Sequence, residues 1–137
     1  MSKFSDWFNK AYNKWRKSQP GEEDFLAFCD LLGYIPAIVL SWFQDEITPQ
    51  GAELLSIAGL FGTNFYSLLG QTEPDPELMK IYNSFSHLKG EYRGKLSQAL
   101  WEAQSEMQQK CISPNSKDAS IILAKTFLKW GIEDSVP

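Results

Sequence analysis

The sequence predicts an all-α fold, and three observations support that prediction. Apolar residues recur three and four positions apart through most of the 137 residues, which is the spacing of one face of an α-helix. Residues that start and stop helices, mainly Ser, Asp, Pro and Gly, lie between these segments. No segment alternates convincingly between apolar and polar residues, so we expect no β-strand.

The first two predicted helices form the N-terminal part. Helix one carries an aromatic face from Phe4 to Trp15, and Ser2 or Ser5 is its expected cap. Helix two follows a Pro-Gly break. The three acids at 22–24 favour its start, and Gly33 is its expected stop.

Two further helices are expected before residue 63. Pro36 suits the first turn of helix three, which we expect to run to Gln44. Thr48 and Pro49 predict the cap and first turn of helix four, which should end near Gly62.

The remainder of the chain predicts four more helices. A short one stops at Gly70, and Asp75 with Pro76 opens the next. A longer helix follows Gly90, and the last one closes at Gly131.

Length and composition exclude several classes of function. A chain of 137 residues with 43% apolar residues suits one compact unit with its own core. Two cysteines and one histidine predict neither a disulfide scaffold nor a metal site. No catalytic constellation of titratable residues is evident, so we expect no enzyme activity, no cofactor and no small-molecule substrate. The longest apolar run, 34–40, is far shorter than the ~20 residues of a membrane span, and a cytoplasmic protein is expected.

The net charge of −4 conceals a sorting of charges along the chain. Residues 1–17 hold five bases and one acid, whereas residues 18–79 hold ten acids and no Lys, Arg or His. Residues 80–130 are basic again, with eight bases and four acids. The middle of the protein should therefore repel polyanions such as DNA.

The window from residue 25 to residue 44 meets the packing requirements of a helix-turn-helix. Cys29 supplies a small side chain where the two helices come closest, and this role is a better interpretation of it than a nucleophile. Gly33 occupies the turn, where a positive φ favours glycine. The apolar positions on either side of the turn are filled by Phe28, Leu32, Tyr34, Val39 and Trp42.

At these residues the sequence resembles the XRE, or Cro/repressor-type, family of helix-turn-helix proteins. The resemblance covers roughly residues 5 to 103 and is carried by FLAFCDLLGY (25–34), VLSWF (39–43), IAGLFG (57–62) and the segments 65–70 and 73–78. It implies a lambda-repressor-like helix-turn-helix bundle over residues 1–103. Residues 104–137 lie outside the resemblance, and we expect them to form a C-terminal helical extension. The resemblance also implies that the third helix binds the major groove of double-stranded DNA.

The third helix departs from that pattern. Carrying the family's outward positions onto it gives a recognition surface of Ile35, Pro36, Ala37, Ile38, Leu40, Ser41 and Gln44. Only Ser41 and Gln44 can hydrogen-bond to a base edge. Acids lie at both ends of the motif, so the cation–phosphate contacts that supply most non-specific affinity are missing.

Basic residues outside the motif offer another route to DNA. Candidate phosphate contacts form one stripe on helix one, at Lys3, Lys10, Lys14 and Lys17. The alternative is a solvated polar face. A second candidate patch comprises Lys89, Arg93 and Lys95.

The apolar residues of the third helix cannot all face the core, so they predict a binding surface for a protein partner or a second copy of the chain. The alternative is that the C-terminal helix, with Ile121, Ile122, Phe127 and Leu128, folds back over them. We therefore expect a non-enzymatic regulatory protein that acts mainly through protein contact, within a transcriptional or nucleoprotein complex. The other hypothesis is a transcriptional regulator that binds DNA directly through the motif.

Overall fold

A computed structural model describes residues 2–19, 25–85, 88 and 90–132, and every regular element in those ranges is helical. The predicted all-α class is confirmed. The elements are α1 (Lys3–Ser18), α2 (Phe25–Leu32), α3 (Pro36–Phe43), α4 (Ala52–Phe61), a 3₁₀ helix (Asn64–Leu69), α5 (Pro76–Ser84), α6 (Glu91–Gln109) and α7 (Lys117–Trp130).

Several helix starts follow the predicted chemistry. The Ser2 hydroxyl accepts a hydrogen bond from the Ser5 backbone N–H at 3.1 Å, which makes Ser2 the cap of α1. The Asp75 carboxylate accepts from the Glu77 N–H at 2.9 Å before Pro76 begins α5. The acids predicted to start α2 lie outside the described residues.

The predicted start of α4 is wrong. The helix begins at Ala52 rather than at Thr48 and Pro49, because Gly51 adopts a positive φ of 54° and turns the chain just before the helix. The Glu53 carboxylate then accepts from the Gln50 N–H at 3.0 Å, so an acid inside the first turn satisfies a backbone donor there.

An aromatic cluster joins the N-terminal helices. Phe8 on α1 is fully buried and its ring lies 4.5 Å from that of Phe43 on α3 and 5.8 Å from that of Phe28 on α2. Trp42 is also buried, 6.1 Å from Phe8. These contacts fix which side of α3 faces the core.

Helix α6 is the central support, packing on α2, α4, α5 and α7. The predicted boundary between residues 103 and 104 lies inside this continuous helix. Phe127 of α7 packs edge-on against Phe85 at 5.5 Å and belongs to the same core as the aromatic cluster. Helix α7 thus packs on the far part of the bundle through α6, while its Ile121 and Leu128 remain exposed.

None of the individual helices that the structure describes combines the length and apolar character of a membrane span. Only α2 and α3 taken together pass that test, and they are bent by 102° at the intervening turn.

Candidate interaction surfaces

A short turn joins α2 and α3, the pair predicted to form a helix-turn-helix. The two helices bend by 102° at that turn. The Gly33 N–H donates to the Cys29 carbonyl at 2.8 Å, and Gly33 adopts a φ of 84° as the turn requires. Cys29 is buried beneath the turn, which supports its packing role.

The turn is held against α6 by a contact that the sequence did not reveal. A Cβ at Gly33 would lie 2.2 Å from the backbone nitrogen of Gly94. The backbone of the turn and the backbone of α6 can therefore approach this closely only because both residues are glycines. The Gly90 N–H donates to the Asp30 carbonyl at 2.8 Å, and the hydroxyls of Tyr34 and Ser97 lie 2.9 Å apart. The α2–α3 turn is therefore held against α6, and the side of α3 that faces away from the core is exposed to solvent.

The outer side of α3 carries most of the predicted recognition surface. Ile35 is 62% exposed and Leu40 is 44% exposed, with Pro36, Ala37 and Gln44 also in solvent. The alternative, that the C-terminal helix folds back over these residues, is wrong, because α7 packs on α6 and leaves Ile35 and Leu40 exposed. Exposed Leu26 of α2 joins them; we call the surface formed by Leu26, Ile35, Pro36, Ala37 and Leu40 the α3 face.

Two residues of the predicted surface do not belong to it. Ser41 is buried, and its hydroxyl donates to the Ile38 carbonyl one turn earlier, so it is not available to a base edge. Ile38 is half-buried and packs against the core. Of the predicted surface residues, only Gln44, the C-cap that follows α3, is exposed and able to hydrogen-bond to a base.

One end of the α3 face forms a shallow depression that Leu26 helps to line. Together with Ile35 and Pro36, Leu26 lines this depression of about 260 Å³, and Asp30 and Glu91 contribute acidic groups to it. The sequence contained a signal for Leu26, because this leucine lies off the inward positions occupied by Phe28 and Leu32 on the same helix.

The charge around the α3 face is negative. Asp30 is exposed on α2 close to the turn, and Asp45 and Glu46 are exposed just after α3. Asp45 accepts a hydrogen bond from the Ser2 N–H at 2.9 Å, which ties the residues after α3 to the start of α1. No Lys, Arg or His occurs in residues 25–79, so these acids have no basic neighbour along that stretch.

The four lysines predicted as phosphate contacts are exposed on α1, but they do not share one environment. Lys10 and Lys14 line a groove of about 550 Å³ with Trp7, Ala11, Trp15, Ser18, Leu60 and Phe61. We call this the α1 groove. Lys3 and Lys17 do not line it. Within the described ranges, neither Lys10 nor Lys14 forms an ion pair.

The second predicted basic patch does not form as expected. Arg93 is buried, its Nε donates to the Tyr82 hydroxyl at 3.0 Å, and its guanidinium lies 4.7 Å from that ring's centre. It therefore supports the core and cannot reach a phosphate. The Lys95 ammonium lies over the Tyr92 ring at 5.1 Å, and Lys89 is outside the described residues.

Perturbed acid–base groups do not converge in a cleft. Burial raises the pKa of Tyr82 and of Tyr34, whose hydroxyls point into the α4–α6 interior. The hydrogen bond from Lys129 lowers the pKa of Glu102 on an exposed helix face. Among the described residues, no group of three or more His, Cys, Asp or Glu side chains is placed to hold a metal ion.

Comparisons with known proteins gave no match to any family model, curated protein or solved structure.

Proposed function

We propose that this protein is a non-enzymatic regulatory protein on an XRE-like helix-turn-helix core, and that it acts by binding another protein through the α3 face. The observation that carries the proposal is the exposure of Ile35 and Leu40, 62% and 44%, on the helix that reads bases in the family it resembles. Clustered apolar side chains on a surface are typical of protein interfaces.

The α3 face has few groups that could hydrogen-bond to the edges of bases. A recognition helix needs donors and acceptors that match base edges, and of the predicted surface residues only Gln44, the C-cap of α3, offers them in solvent. The neighbouring Ile35, Pro36, Ala37 and Leu40 can contact at most a thymine methyl group. Specificity for a DNA sequence would have to come from elsewhere in the molecule.

The charges around α3 disfavour the binding of phosphates. Asp30, Asp45 and Glu46 expose carboxylates on α2 and just after α3, and residues 25–79 contain no base to balance them. Because cation–phosphate contacts and counterion release supply most non-specific affinity, this part of the chain opposes the approach of a duplex.

The same features favour a protein partner of defined chemistry. The depression at Leu26, Ile35 and Pro36 can accept an apolar side chain, and Asp30 and Glu91 beside it favour basic flanking residues. Two copies related by symmetry would bring like-charged acids together, so the charges favour a partner with basic residues over a symmetric dimer.

Direct DNA binding is the second candidate, and the 102° bend of the α2–α3 pair favours it. In that case α1 would have to supply phosphate contacts through Lys3, Lys10, Lys14 and Lys17, which are exposed. Protein contact remains the preferred proposal because it explains the exposed apolar side chains.

Site-specific crosslinking distinguishes the two functions. A photoreactive amino acid is placed at position 40 or, as the matched control, at position 121, which is 53% exposed on α7. In cells that express the chain, we expect a discrete protein adduct from position 40 that position 121 does not give. Adding Ile35→Asp should remove that adduct. Crosslinks to nucleic acid from position 40, or the same adducts from both positions, would refute the proposal.

A further inference from the structure

The α1 groove combines an apolar floor with a basic edge. Trp7 and Trp15 of α1 line it with Leu60 and Phe61 at the end of α4, and Lys10 and Lys14 lie on its α1 side. These residues come from separate parts of the chain, so the groove is a product of the fold that the sequence pattern alone does not show.

The aromatic lining is fixed in place by packing. The Trp7 ring stacks on Phe65 at 4.7 Å and meets Phe61 edge-on at 5.7 Å. Trp15 packs on Phe28 at 5.2 Å. The aromatic side chains are therefore already ordered before a partner binds, so little free energy is lost in ordering them on binding.

The α1 side of the groove is long enough for about three turns of a partner helix. That side runs from Trp7 to Ser18, which at 1.5 Å per residue is about 16 Å, or three helical turns. Two or three apolar side chains at i, i+3 or i+4, and i+7 of a partner helix match that length.

The charges specify the partner further. Lys10 and Lys14 are one turn apart on the same side of α1, both exposed and without an ion-pair partner in the described ranges. Residues 1–17 carry five bases against one acid, although the whole chain is negative. Because screening limits such interactions to about 8 Å at physiological salt, the local positive charge decides what binds here.

We propose that the α1 groove binds an acidic amphipathic helix of a partner protein, with apolar side chains against Trp7, Trp15 and Phe61 and carboxylates paired to Lys10 and Lys14. The site is separate from the α3 face, so either surface can exist without the other. Lys10 and Lys14 thereby act as specificity determinants for acidic peptide rather than as contacts to a nucleic-acid backbone.

Selection from a phage-displayed library of random 16-residue peptides tests this inference. The full-length chain is the target, and the selected peptides are then measured by fluorescence anisotropy. We expect selected sequences with acidic residues beside helically spaced apolar residues, and weaker binding as salt increases.

Two double variants provide the decisive comparison. Lys10→Glu with Lys14→Glu should weaken binding of the selected peptides about tenfold or more, since two attractive pairs become repulsive. Lys3→Glu with Lys17→Glu makes the same change of net charge on the same helix but outside the groove, and it should alter affinity less than about threefold. Ala11→Phe fills the groove without changing charge and should also weaken binding.

The inference is overturned if no selected peptide contains acidic residues, if the two charge-reversed variants lose binding equally, or if binding is unchanged in Ala11→Phe. Displacement of the peptides by an equal concentration of a 20-base-pair duplex would instead assign the lysines to DNA. Circular dichroism of each variant confirms that α1 is intact, so a loss of binding is attributable to the groove.

Discussion

At the scale of single residues, Gly33 is constrained both by its own backbone and by its neighbour. Its φ of 84° disfavours any side chain, and a Cβ would approach the Gly94 nitrogen to 2.2 Å. We predict that Gly33→Ala lowers the free energy of unfolding by about 2–5 kcal/mol, from left-handed strain together with overpacking. Urea denaturation measures the change.

Gly131 is the control for that substitution. It has a similar φ of 73°, but a Cβ there would meet nothing within 4 Å. Gly131→Ala should therefore cost only the backbone strain, about 1–2 kcal/mol. Equal losses at the two positions would mean that the contact between the α2–α3 turn and α6 has no energetic importance.

The sequence predicted the roles of Gly33 and Cys29 but misplaced Ser41. A turn glycine and a small residue at a close approach have local signatures that one chain reveals. Helix α3, in contrast, is apolar almost all round, so periodicity does not say which side faces the core. Packing of Trp42 and Phe43 against α1 decides that orientation, and it buries Ser41.

At the scale of elements, Phe127 is one of the side chains by which α7 packs on the main core. That side chain is buried and packs against Phe85 at 5.5 Å. We predict that Phe127→Ala lowers the free energy of unfolding by about 3 kcal/mol or more, because a large core side chain is removed. The adjacent Leu128 is 60% exposed, and Leu128→Ala should cost less than about 0.5 kcal/mol.

Thermal unfolding followed by circular dichroism checks this prediction. A single transition that shifts downward in Phe127→Ala is expected if residues 104–137 fold with the remainder. A variant that loses α7 while the main transition stays in place would show instead that the C-terminal helices are an independent extension.

Most element types were predictable and several boundaries were not. Ser2 and Asp75 cap helices as their chemistry suggests, since capping depends on residues within one turn. The start of α4 depends on the positive φ of Gly51, and a Cβ at that residue would lie 3.1 Å from the ring of Trp101 on α6. The groove between α1 and the end of α4 likewise depends on residues about fifty positions apart, beyond the reach of any local pattern.

At the scale of the whole molecule, buried tyrosines determine the response to alkaline pH. Desolvation raises the pKa values of Tyr34, Tyr66 and Tyr82 above the value of about 10 of an unfolded chain. The unfolded state therefore releases these protons first as pH rises. Their contribution to stability is complete below pH ~10 and falls above it, by up to about 1.4 kcal/mol per pH unit for each tyrosine.

Tyr66→Phe tests the pH dependence with little change to packing. The ring is buried and no hydrogen bond from its hydroxyl is evident, so the variant should fold normally at pH 7. Between pH 10 and pH 11 its free energy of unfolding should fall less steeply than that of the original chain. Identical slopes for the two proteins, measured by urea denaturation at each pH, would contradict the assignment.

Two surfaces of the molecule carry charges of opposite sign. Lys10 and Lys14 border the α1 groove, whereas Asp30 and Glu91 border the depression of the α3 face. The sequence revealed this sorting of charge, because it follows from composition along the chain. It did not reveal that each charged region adjoins an apolar depression.

Selection from a random duplex DNA pool at about 0.15 M salt tests whether the α3 face reads bases or, as we propose, contacts protein. We predict that no sequence is enriched and that binding stays weaker than micromolar, because only Gln44 of the predicted surface can read a base from solvent and Asp45 and Glu46 follow it directly. Enrichment of one duplex sequence with nanomolar affinity that Gln44→Ala abolishes would contradict the account.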